Sequence, residues 1–123
     1  MDDERYQSIC AELDLLISHG MRISFGLANK PAPLDREFYS DRIFSKLLSH
    51  AITLRRIVPT GLTPKKEGDT ELWDISSTCA LARALIETYD SLFYVAVDNI
   101  TDEEREFRFL LWELHAEERR EKN

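Results

Sequence analysis

The sequence predicts an all-α fold, an antiparallel four-helix bundle, on three observations. Apolar residues recur at three- and four-residue spacing through four segments, turn-forming residues are confined to the gaps, and helix-opening caps precede the last two segments. Only four glycines and four prolines occur, and six of the eight fall within Lys30–Pro33 and Pro59–Gly68. A β-sandwich would scatter its turn signals far more evenly along the chain.

The first helix is expected over residues 3–28, where Tyr6, Ile9, Cys10, Leu13, Leu16, Ile17 and Ile23 favour one face and acids open the segment. Gly20 marks a point of expected irregularity, and the run KPAP ends the helix because proline lacks a backbone donor. The second helix is expected over 35–58, with Asp35 as its cap and Leu34 and Tyr39 as a hydrophobic staple. Its stripe is Phe44, Leu47, Leu48, Ala51, Leu54 and Val58. Residues 59–73 lack any period and read as a long loop. Asp74 caps a third helix over 74–97, whose core face is Leu81, Leu85, Tyr89, Leu92, Phe93 and Ala96. Thr101 and Glu104 form a capping box for a fourth over 101–120, with Phe107, Leu110, Leu111 and Leu114 as its inner stripe. The short connection between the last two predicts a hairpin packed through Leu85, Tyr89, Leu92, Phe107, Leu110 and Leu114.

At 123 residues, 43% hydrophobic and 32% charged, the chain has the size and apolar content of one globular domain. The charged ending AEERREKN leaves open that it is the N-terminal part of something longer. Cys10 and Cys79 lie far apart without metal-ligand spacing, so both read as reduced, buried hydrophobes and no cofactor or metal is expected. An acidic N-terminus and the lack of a long apolar run predict a cytoplasmic protein away from membranes. A net charge of −7 disfavours DNA, and RNA binding requires a local basic patch.

Chemistry concentrates on the last two helices. Arg108 and His115 lie nearly two turns apart on the fourth, with Trp112 and Arg119 beside them. Arginine stabilises charge on phosphate oxygens and histidine moves protons near neutral pH, so this row suits phosphate chemistry. It also suits a subunit contact, whence the expectation of a homo-oligomer, and a polar helix edge suffices to explain it. On the third helix Arg83 and Glu87 form an i,i+4 pair, read either as a solvated ion pair or as support for His115 or Arg108. Glu71 with Asp74 and Glu87 with Asp90 repeat E-x-x-D, which looks a little like the magnesium-binding carboxylates of all-helical nucleotide pyrophosphohydrolases. Lys65, Lys66, Arg55 and Arg56 form a further candidate basic patch.

The stretches ELWDISSTCALARALIETYDSLFYVAVD and EEREFRFLLWELHAEERRE resemble an uncharacterised bacterial all-helical family, in which an A-R-A-L-I-E-T-Y helix precedes an E-F-R-x-L-L-W-x-L-H helix. More distantly, the Arg108 and His115 spacing on the last helix is similar to the HEPN superfamily, many of whose members are metal-independent ribonucleases of toxin–antitoxin and phage-defence systems. The resemblance implies that Arg108 steadies the scissile phosphate, that His115 acts on the 2′-hydroxyl proton, and that RNA and an antitoxin-like protein are partners. Phe109 stands where that family often carries a polar residue, which leaves nucleotide binding or a non-catalytic helical protein-interaction module as alternatives.

Overall fold

The computed structural model describes residues 2–59, 61–62 and 74–122. Among these the chain is all-α: α1 (Asp3–Leu27), α2 (Asp35–Ile57), α3 (Ile75–Leu92), a π-helical turn (Phe93–Val97) and α4 (Asp102–Glu121). Most of the expected loop lies outside the described residues, and with it Glu71, Lys65 and Lys66.

Side chains set most helix starts. Asp2 accepts from the Arg5 amide, Asp74 from Ser77 and Thr101 from Glu104, each satisfying an amide that the helix leaves free. Asp35 does not cap α2 as expected; Leu34 is the cap residue, without a side-chain bond, and Asp35 lies in the first turn where its charge favours the dipole. The Glu104 carboxylate reaches forward to Arg108 at 3.3 Å.

α2 is the central helix, with α1 and α3 both packed on it. α1 runs antiparallel to α2, fastened by Tyr6 Oη donating to the Pro59 carbonyl at 2.6 Å, by Arg55 to Asp14 at 2.8 Å, and by a close approach at Gly20. A Cβ on Gly20 would lie 2.8 Å from Leu48 Cδ1. The glycine is thus a packing point within a continuous α1, and the expected irregularity is absent.

The core is small: Ile43, near the middle of α2, meets Leu92 at the end of α3 and Val95 of the π-turn, with Phe44, Leu47, Ala96 and Trp112 packed against them. Here the expected facing of α4 is overturned. Phe109 is 3% exposed, whereas Phe107, Leu110, Leu111 and Leu114 are 42–60% exposed. Arg105, Arg108, Phe109, Trp112 and Ala116 share the inner face, and the leucines project from the opposite one. The π-turn supplies the physical reason. Arg105 donates to the carbonyl of Val95 within the turn at 3.3 Å and to that of Asp98, the residue after it, at 2.6 Å. Arg108 adds bonds to the Tyr94 carbonyl and the Asp98 carboxylate. This cationic cap fixes the rotation of α4, and Phe109 and Trp112 follow it inward.

Of the expected hairpin contacts through Leu85, Tyr89, Leu92, Phe107, Leu110 and Leu114, Leu92 is buried in the core beside Trp112, whereas Tyr89, Phe107, Leu110 and Leu114 are exposed and α4 packs on the π-turn. Cys10 is buried as expected, but Cys79 is exposed. No described helix is long and apolar enough to cross a membrane.

Candidate functional site

α4 begins close to the N-terminal half of α2. Arg36 donates to the Asp102 carbonyl at 3.2 Å, and Tyr39 lies 5.7 Å from the Phe109 ring and 5.9 Å from that of Trp112. Beyond this aromatic junction an open cleft of about 810 Å³ lies between α2, α3 and α4.

Each helix contributes residues at i, i+3, i+4 and i+7, the spacing of one helical face. From α2 come Tyr39, Arg42, Ile43 and Lys46; from α3, Ala84, Glu87, Thr88 and Ser91. From α4 come Trp112, His115, Ala116 and Arg119, with Arg120 beside them. Four cationic side chains and a histidine thus meet one carboxylate in the lining of a chain whose net charge is −7. Arg42 is held over the Phe38 ring at 5.6 Å, and Arg119 and Arg120 stand in the last turn of α4, where the helix dipole favours cations. Tyr39 and Trp112, whose rings lie 5.9 Å apart, give the lining aromatic surface beside the four cations.

Four of the expected site residues, His115, Trp112, Arg119 and Glu87, line this cleft. Arg108 and Arg83 do not. Arg108 is ion-paired with Asp98 at 2.9 Å and Glu104 at 3.3 Å, and its guanidinium covers the Tyr94 ring at 4.8 Å. The hydrogen bond to the Asp98 carboxylate raises the Arg108 pKa above its ordinary value. Glu87 pairs with exposed Arg83 at 3.6 Å and is not among the partners of Arg108. Trp112 packs against the core and is partly exposed where it lines the cleft.

Arg42, Lys46 and Arg120 were not singled out by the sequence reading. The signal for Arg42 and Lys46 is the second face of α2, where they share with Tyr39 the side away from the leucine stripe. Among the described residues, no three His, Cys, Asp or Glu side chains gather as a metal-binding group. Asp74 is engaged as a helix cap, its pKa lowered by bonds from Ser77. No protein-family model, curated protein or solved structure matches this chain.

Proposed function

We propose that this chain is a helical RNA-binding domain, HEPN-like in arrangement, that holds a single-stranded phosphate backbone in the α2–α3–α4 cleft. The observation that carries this reading is the convergence of Arg42, Lys46, Arg119 and Arg120 on one cleft beside Tyr39 and Trp112. A cationic groove that tracks phosphates, with aromatic surface for a base to stack against, is the general chemistry of single-strand recognition. The chain's overall acidity confines that attraction to the cleft.

Binding without cleavage is the form of this function that the geometry supports best. The proposed phosphate-steadying arginine, Arg108, is neutralised by two carboxylates and caps the π-turn instead of lining the cleft with His115. A second reading, His115-dependent metal-independent cleavage, is favoured by the position of His115 in the lining one turn before Arg119.

The test is fluorescence anisotropy of a labelled single-stranded RNA against salt, run beside a denaturing gel with EDTA present. Binding that weakens with salt, and loses about 0.7 of log–log slope for each phosphate contact removed by Lys46→Ala or Arg119→Ala, supports the reading. Intact RNA supports binding alone, and cleavage lost in His115→Ala selects the second reading. Absence of binding at low salt rejects both.

A further inference from the structure

The outer face of α4 is apolar along its centre and acidic around it. Phe107, Leu110, Leu111 and Leu114 are all exposed and fall within a strip about 100° wide that runs along two turns of the helix. Glutamates frame it at one-turn spacing: Glu103 before Phe107, Glu106 and Glu113 either side of Leu110, and Glu117 and Glu118 after Leu114.

The charge on this face is of one sign. All four arginines of α4 are engaged elsewhere, Arg105 and Arg108 on carbonyls of the π-turn and its end, Arg119 and Arg120 in the cleft lining. Among the described residues Glu106 meets Arg36 at 3.8 Å, while Glu103, Glu113, Glu117 and Glu118 have no ion-pair partner. The exposed apolar side chains of the other helices lie among mixed charges. Arg5 and Glu12 stand one turn either side of Ile9 on α1, and Arg83 and Asp90 one turn either side of Ile86 on α3.

The acidic frame selects the occupant. A second copy set on the same face would bring glutamate against glutamate in either direction, and an anionic membrane surface would be repelled in the same way. A single convex helix offers its ridges and grooves to another helix, and apolar residues at three- and four-residue spacing with lysine or arginine beside them match both the strip and its frame.

We infer that the outer face of α4 docks a cationic amphipathic helix of another protein, its apolar side chains on Leu110 and Leu114 and its cations on Glu106, Glu113 and Glu117. The basic cleft lies on the inner side of α4, so this inference does not rest on the RNA reading.

Fluorescence anisotropy of a labelled peptide with leucines at heptad a and d positions and lysines at e and g, titrated with the whole chain, tests the docking. Wild type is expected to bind it at least ~10-fold more tightly than a peptide of the same composition in scrambled order, with affinity falling as salt rises. Leu110→Lys should weaken binding at least ~10-fold with helicity by circular dichroism unchanged, and Leu114→Lys is the second variant should the first fail to fold. Glu113→Lys with Glu117→Lys should transfer the preference to a peptide carrying glutamates in place of the lysines. Ile86→Lys, on the exposed face of α3, should bind as wild type does. No binding by wild type at low salt overturns the inference, as does equal binding of the scrambled peptide or undiminished binding by both leucine variants. A wild-type dimer that dissociates in Leu110→Lys, or binding to phosphatidylglycerol vesicles that Leu110→Lys abolishes, assigns the face to a second copy or to lipid and overturns it likewise.

Discussion

The two sides of the α2–α3 pair differ in chemistry although the same two helices build both. One side presents Arg42, Lys46, Glu87 and Thr88 to an open cleft, and the other presents Leu47, Leu48, Leu85 and Ile86 to an apolar groove. A helix that lines two surfaces carries two overlapping periodic patterns, and only the apolar one registers as a core stripe. Here that stripe, through Phe44 and Leu47, borders both the enclosed core under the π-turn and an open groove. An apolar stripe therefore identifies a surface that seeks a partner, which can be the chain's own core or another molecule.

The sharpest way to break this comparison is to truncate each face of α4. Phe109→Ala removes a buried ring and should cost about 3–5 kcal/mol in urea denaturation, whereas Leu110→Ala on the outer face should stay below ~0.5 kcal/mol. The reverse order would show that the leucine face is the packed one. In the cleft, the double reversal Lys46→Glu with Arg119→Glu should lower single-stranded RNA affinity at least ~100-fold, because two attractive contacts become repulsive. Its mass in solution should match wild type.

Arg108 separates structure from catalysis. Arg108→Ala should lower the melting temperature by removing the bonds to Asp98, Glu104 and the Tyr94 carbonyl, yet RNA affinity should stay within about 2-fold of wild type. A stable variant that loses RNA binding would place Arg108 in the site after all.

The smallest effect concerns pH. Bonds from Ser77 hold the Asp74 carboxylate below its ordinary pKa, so its cap stabilises α3 at neutral pH and is lost as pH falls through that lowered value. Below the ordinary carboxylate pKa of about 3.9, Asp74→Asn should therefore lose less stability with falling pH than wild type, as measured by melting temperature.

The helices and most of their ends were legible in the sequence because they depend on local spacing and caps. Asp74 and Thr101 act as expected, and α1 starts at Asp3 as its acids imply. The rotation of α4 was not legible. Its leucine stripe is the stronger periodic signal, but Arg105 and Arg108 are turned inward by carbonyls that a π-turn exposes, and no local propensity announces that turn. For the same reason the lining of the candidate cleft was half legible. His115, Trp112, Arg119 and Glu87 were found on the helices that carry them, while Arg42 and Lys46 were overlooked on a helix read only for its apolar face.

The most direct test of the central claim is a salt titration of single-stranded RNA binding by wild type and by the Lys46→Glu, Arg119→Glu variant, each at a concentration where its mass is known. Wild type is predicted to bind with affinity falling as salt rises, and the variant to lose binding without change of mass or helicity. Equal binding by the two proteins, or none by wild type at low salt, would contradict the assignment of the cleft.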